Sequence, residues 1–377
     1  MMKKLLLIVF AFSAMAIASA QIVPTKICTL PSVLAESSGL LKTGANRFFS
    51  HNDSGSDPVI TEFDSTGTVK RRLYINASNV DWEDITTDAS GKVYIGEFGN
   101  NNNDRKNLRI YIMANPSGFT RDTTSVGILN FSYQGQTAFP PAADALNYDM
   151  EAMFWWNDSL FLFSKNRTSP YNGYTVMYAL PAKAGTYVAS KRDSFYTGAG
   201  AWLNQSITGA AISQDGKKVV LLGYDKLWLF KGYTGNKFLK GQVNTYTFNA
   251  LSQKEGICFA DSNTLYFTEE SSPLSSASLF RFKLPNQSSG LQTKKKEIND
   301  FNIYPNPFQN KICIQNLTEK KLGLMLLDMN GIKIIEKEFN SKEICLEDEI
   351  SALNPGNYLI GIIENNKVIY SEKVSKY

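Results

Sequence analysis

The stretch MEAMFWWNDSLFLFSK, residues 150–165, reads as two apolar strands folded back on each other. Glu151 to Trp156 runs out, Asn157-Asp158 supplies the turn, and Leu160 to Lys165 returns. An Asn/Asp pair between aromatic and aliphatic runs is a hairpin signal, because these residues tolerate the left-handed backbone of a tight turn. Thr175–Leu180 and Thr186–Ser190 extend the pattern to four strands. The same plan recurs along the chain: a polar or acidic residue, a small residue nearby, an apolar strand, a turn, a second apolar strand. It begins at Glu36-Ser37-Ser38-Gly39-Leu40, Trp82-Glu83-Asp84-Ile85, Met150-Glu151-Ala152-Met153, Ile207-Thr208-Gly209-Ala210 and Lys254-Glu255-Gly256-Ile257. The separations are 83 − 36 = 47, 151 − 83 = 68, 208 − 151 = 57 and 255 − 208 = 47 residues. Units of this size are those of four-stranded propeller blades. The expectation is an all-β chain: a β-propeller of five blades, with a sixth possible in the long second unit near Pro140-Pro141, followed by a small β-sandwich.

In the fourth unit Gly209–Ser213, Val219–Tyr224, Leu227–Lys231 and Val243–Phe248 read as strands around a Gln214-Asp215-Gly216 turn. The fifth unit offers only three, at Gly256–Phe259, Thr264–Thr268 and Leu279–Leu284. Lys26–Leu30 is the unassigned apolar segment that would supply its fourth strand and close the ring, removing an exposed edge.

The chain begins Met1-Met2-Lys3-Lys4, continues apolar from Leu5 to Ile17 and reaches Ala18-Ser19-Ala20. This is the pattern of a cleavable signal peptide over residues 1–20. Gln21 in place of Cys excludes lipidation there, and no later stretch is apolar enough for a transmembrane helix. The propeller is expected over 21–285, a polar linker over 286–300 and the sandwich over 301–377. A net charge of +4, with basic residues scattered apart from Lys294-Lys295-Lys296, shows no nucleic-acid footprint. Of the four cysteines, Cys28, Cys258, Cys313 and Cys345, none forms a Cys-x-x-Cys pair. Cys313 and Cys345 could close a disulfide or remain buried thiols; spacing alone does not decide.

Tyr304-Pro305-Asn306-Pro307-Phe308, Leu327-Asp328-Met329-Asn330-Gly331 and Leu353-Asn354-Pro355-Gly356-Asn357-Tyr358 follow in order near the end of the chain. Together they resemble the C-terminal sorting domain of type IX secretion cargo of the Bacteroidetes. The resemblance implies a partnership with that secretion machinery, passage across both membranes, and release or attachment at the cell surface. The body is similar to the SdiA-regulated propeller family, and more loosely to phytase-like esterase propellers. That likeness is carried by Glu36–Leu40, Asn52-Asp53-Ser54-Gly55, Asp81–Ile85, Glu151-Ala152-Met153, and Gln253–Ile257 with Glu269-Glu270. It departs from the family at Thr208, where an acid is often found.

In a propeller the innermost strand starts, and its neighbour ends, on one face of the disc. That places Glu36, Asp53, Glu83, Glu97, Glu151, Glu255 and Glu269 as a candidate ring at the channel mouth, with His51, Asn52 and Lys165 as accessories. Crowded carboxylates can act as acid or base, can bind a hard cation such as Ca²⁺, or can cap strands and pair with Lys165 and Arg167. His51 is the single histidine, and no Gly-x-Ser-x-Gly elbow is present. The tryptophans, Trp82 among them, read as blade packing in preference to sugar platforms. The expected function is binding of a small-molecule or surface ligand, or a cation, at the mouth. The alternative is a calcium-dependent hydrolase of phosphoesters, lactones or esters, so the question of an enzyme stays open.

Overall fold

The computed structural model describes residues 19–377 except 201, 249–250, 273–274, 286–300, 318–319, 329–332 and 365–366. Residues 1–18 of the expected signal, the expected linker and Gly331 of the sorting motif therefore lie outside the described residues. The chain divides into two units, 1–286 and 287–377. No helix among the described residues is long and apolar enough to cross a membrane.

The first unit is a β-propeller, and its described strands fall into five blades. The inner strands are Ser37–Gly44, Trp82–Thr87, Met150–Trp156, Gly209–Ile212 and Lys254–Asp261. Each packs beside the next in that order, and Lys254–Asp261 returns to lie beside Ser37–Gly44, closing the ring. The extra length of the second repeat lies in its loops, 98–108, 114–126 and 134–149, the last with the 3-10 turn Ala143–Ala145 as its regular element. Thr25–Thr29 pairs antiparallel with Ser278–Lys283 and completes the fifth blade, as the incomplete repeat demanded. A strand not foreseen, Ser19–Ile22, pairs in parallel with 245–248 on the fourth blade. The Asn157-Asp158 hairpin has both residues at positive φ, 45° and 57°, the geometry of a two-residue type I′ turn.

Apolar clusters fill the spaces between neighbouring blades. Trp82, Ile85, Ile95 and Tyr111 sit with Leu41, Phe49 and Ile60 between the first and second; Phe154 and Phe161 meet Phe238 between the third and fourth. At the axis the inner strands come too close for side chains: a Cβ on Gly256 would lie 2.8 Å from the Gly39 carbonyl carbon. Asp84 fills the remaining space. Its buried carboxylate accepts from the N–H groups of Ile85 at 2.8 Å and Met153 at 2.7 Å, and from that of Ala210. One side chain thus ties three inner strands together, and burial pushes its pKa well above the ordinary aspartate value.

The second unit is a sandwich of a three-stranded and a four-stranded sheet around one apolar core that includes Phe301, Phe308, Leu324, Leu326 and Ile360. Cys313 and Cys345 lie opposite each other on paired strands and form a disulfide. The Tyr304–Phe308 motif is a chain corner: Phe308 is buried while Tyr304, Pro305, Asn306 and Pro307 are exposed. Asn306 Oδ1 accepts from Ser375 N at 3.1 Å, and Phe308 N donates to Ser375 O at 2.8 Å. Pro355 and Gly356 are exposed at the start of Gly356–Glu364, where the Tyr358 hydroxyl donates to Asn354 O at 2.7 Å.

Candidate functional site: an acidic mouth on the propeller axis

Strand register decides which acids reach the mouth. In four blades the inner strand pairs with its neighbour at an equivalent place: Ser37 opposite Asn52, Trp82 opposite Glu97, Met150 opposite Ser164, Lys254 opposite Glu269. Each of these pairs is followed by an irregularity in the ladder. Such bulges re-aim the side chains beside them and recur next to binding sites. One residue further along the inner strands stand Ser38, Glu83, Glu151 and Glu255. One residue past the returning strands stand Asp53, Phe98, Lys165 and Glu270. Successive side chains point to opposite faces of a sheet, so these residues share a side that their predecessors do not.

The acids of this set sense one another across blades. Glu83 is influenced by Glu151, Asp53, Asp81 and Asp149, and Glu255 by Lys165, Glu151, Glu270 and Asp53. Glu270 is influenced by Asp53, Glu36, Lys165 and Glu151. Residues of the first, second, third and fifth blades therefore meet at one opening. In the fourth blade Thr208 stands at the strand start, its hydroxyl donating to Lys254 O. In the first, Ser38 Oγ donates to Glu83 O at 2.7 Å, so the residue equivalent to Glu83 is a serine and not Glu36. Glu36 is exposed two residues earlier, near enough to act on Asp53 and Glu270.

Basic groups neutralise part of the mouth. Lys165 Nζ, nearly buried, lies 2.9 Å from Glu151 Oε2 and 5.3 Å from the centre of the Tyr224 ring. Arg167 holds Asp149 at 2.7 Å, reaches Glu151 at 3.4 Å and stacks on Trp202. Arg105 stands 3.9 Å from Asp81. Among the described residues Asp53, Glu83, Glu255 and Glu270 have no basic side chain within ion-pair distance, and the buried Glu255 Oε2 has no hydrogen-bond partner. Burial, reinforced by neighbouring carboxylates, pushes Asp81 up to about 7, Asp149 to about 6 and Glu270 to about 8, and raises Glu83 and Glu255 well above the ordinary range. Lys165 moves upward because Glu151, Glu255, Tyr224 and Glu83 outweigh its own desolvation.

Asp53, Asp81 and Glu83 each place one oxygen within 4.8 Å of the others. Beneath them is Gly99, where a Cβ would lie 2.1 Å from Glu83 Oε1 and 2.5 Å from Asp81 Oδ2. A side chain at this position would push both carboxylates out of the positions in which they turn toward one point. An all-oxygen set of this kind suits a hard divalent cation such as calcium.

The mouth thus gathers Asp53, Glu83, Glu151, Glu255 and Lys165 of the expected ring, with Glu36 at its edge. Glu97 and Glu269 point elsewhere. Glu97 pairs with Arg105 and accepts from Val80 N at 2.8 Å; Glu269 lies near Lys254. Both sit one residue before the mouth position, and a one-residue offset reverses the face. Asn52 shares that offset and donates to Val33 O at 3.1 Å. His51 is not at the mouth: it is fully buried between the first two blades, edge-on to Trp82 at 5.5 Å. Burial lowers it to about 4, so the ring is neutral. Sequence reasoning missed Asp81, Asp149 and Gly99 as members of the site. The repeat in Asp81-Trp82-Glu83 and Asp149-Met150-Glu151, an acid two residues before each ring glutamate, was the available signal.

Residues 302–376 match the model of the secretion system C-terminal sorting domain. The second unit carries a secretion-system sorting domain. No curated protein matches the chain. Among solved structures the chain is similar to PorZ of Porphyromonas gingivalis, a surface component of the type IX secretion system, at 10% identity and TM-score 0.31. That match covers 90% of this chain and 45% of PorZ, so the chain spans under half of that protein's length. It is also similar to PQQ-bound aldose sugar dehydrogenase from Streptomyces coelicolor (11% identity, TM-score 0.41, 69% of this chain and 98% of that one). A third is a putative 6-phosphogluconolactonase from Bacteroides uniformis (11% identity, TM-score 0.34, covering 89% and 94%). Likeness at this level says nothing of activity.

Proposed function

We propose that this is a propeller exported by the type IX system, released or held at the outer cell surface, that binds a divalent cation of the calcium class at its acidic mouth without turnover. The sorting-domain match supports the route, together with the expected signal peptide. The observation that carries the binding role is the convergence of Asp53, Asp81 and Glu83 over Gly99, beside a buried oxygen of Glu255 that no described residue satisfies. Crowded carboxylates without counter-charges are costly, and a cation relieves that cost. A surface ligand whose own oxygens complete the coordination belongs to the same reading, as does the body's likeness to SdiA-regulated propellers. The test is thermal unfolding of the purified mature protein in calcium and in EDTA. Calcium should raise the midpoint in a concentration-dependent way. An unchanged midpoint in wild type at millimolar calcium overturns the proposal.

A second reading, the calcium-dependent hydrolase, draws on Lys165 and Arg167 standing beside the acids, where they could hold an anionic ester. Burial of His51 removes the one imidazole from that reading, leaving metal-bound water as its nucleophile. Hydrolysis of phosphoester, lactone or ester substrates that is lost in Glu83→Ala and Glu151→Ala would favour it over binding alone.

A further inference from the structure

The inner strands that begin at the acidic mouth all end on the opposite face, and there they surround a cavity of about 640 Å³. Every blade contributes to its wall: Lys42–Ala45 from the first, Thr87–Ala89 from the second, Trp155-Trp156 from the third, Ile212–Gln214 from the fourth and Phe259–Asp261 from the fifth. Asp84 and the Gly39–Gly256 contact fill the axis between this bowl and the mouth, so the two are separate. A volume of this size is that of a small-ligand pocket.

The lining specifies the ligand's chemistry. Trp155, Trp156 and Phe259 are half-buried: each packs partly against a different interblade core and partly lines the bowl. The Trp155 indole N–H is itself buried, without a hydrogen-bond partner among the described residues, so the indole offers the bowl its apolar surface. The charged groups are already engaged. Asp88 Oδ1 accepts from Ser90 N and Lys92 N, Asp261 Oδ1 accepts from Asn263 N and Thr264 N, and Lys42 Nζ donates to Gly44 O. What remains for a ligand is aromatic surface with the hydroxyl of Thr43 and the amide of Gln214, both exposed. Aromatic surface with neutral hydrogen-bonding groups, beside charged side chains already hydrogen-bonded within the protein, matches an uncharged polyhydroxylated ring. We propose that this bowl is a second binding site, for a neutral saccharide, independent of the acidic mouth.

The test uses the mature full-length protein and a panel of neutral hexasaccharides: cellohexaose, maltohexaose, chitohexaose, mannohexaose and xylohexaose. Binding is read by tryptophan fluorescence and by calorimetry. Ala89 and Ala260 are exposed at the rim, so Ala89→Trp and Ala260→Trp obstruct the bowl while leaving the core untouched. At least one hexasaccharide should bind, each obstructing variant should weaken it by about tenfold or more, and Glu83→Gln should leave it unchanged. Absence of binding across the panel overturns the proposal. So does binding that both obstructing variants leave within about twofold of wild type, or displacement of the sugar by a Leu/Phe-rich peptide that binds more tightly.

Discussion

Glu270→Gln removes a charge from a mouth that has too many of one sign, so it should stabilise the body in the absence of cation. Glu270 is nearly buried, and burial together with Asp53 and Glu36 pushes it from 4.5 up to about 8. An acid raised on folding holds its proton longer in the folded state. Below the unfolded pKa of about 4.5 both states are protonated and the group is neutral in effect. As pH rises from there to about 8 the unfolded state gains by ionising, and the folded state pays a penalty that is complete above pH 8. The full shift corresponds to a ceiling of about 4–5 kcal/mol at about 1.4 kcal/mol per unit. Neighbouring acids relax when one charge is removed, and the mouth is partly hydrated, so the expected gain is about 1–2 kcal/mol at pH 8. For a domain of this size that is about 2–6 °C in melting temperature. Thermal and urea unfolding in EDTA at pH 8 and pH 4 would measure it, with a gain at pH 8 and none at pH 4. If Glu270→Gln destabilises the cation-free protein at pH 8, the account of the mouth as an unneutralised cluster is wrong.

Lys165→Met should do the opposite. Among the described residues it leaves Glu151 with the longer contact to Arg167 alone, and urea unfolding should show a loss of about 2–4 kcal/mol. Gly99→Ala introduces a methyl where Asp81 and Glu83 converge, and calorimetry should show calcium affinity reduced by about tenfold or more. Reduction of Cys313–Cys345, which are 32 residues apart, should cost the sorting domain about 3–4 kcal/mol and leave the propeller's unfolding unchanged.

The fold was legible because its signals are local. Asn157-Asp158 and Asp215-Gly216 mark turns whatever surrounds them, and an incomplete fifth repeat requires a strand from elsewhere in the chain. The site was legible only in part, because side-chain direction depends on register. Glu269 and Glu270 are adjacent acids at a strand end, and nothing local says which one faces the axis. In the assembled ring Glu270 is the one beside Asp53, Glu36, Lys165 and Glu151, while Glu269 lies near Lys254. Glu36 reads as the counterpart of Glu83 because the first repeat holds a serine, Ser38, at that place and an acid two residues before it. His51 reads as an accessory of the mouth beside Asn52-Asp53, yet the strand continues through it and its ring is buried inward. Asp84 carried no signal of its role, since only the assembled ring brings Met153 and Ala210 to its carboxylate.

The most direct measurement is anomalous diffraction from crystals of the mature protein grown in calcium. A single strong peak is expected, bounded by oxygens of Asp53, Asp81 and Glu83, above Gly99. Crystals in which that point shows only water, with calcium bound elsewhere or nowhere, would contradict it.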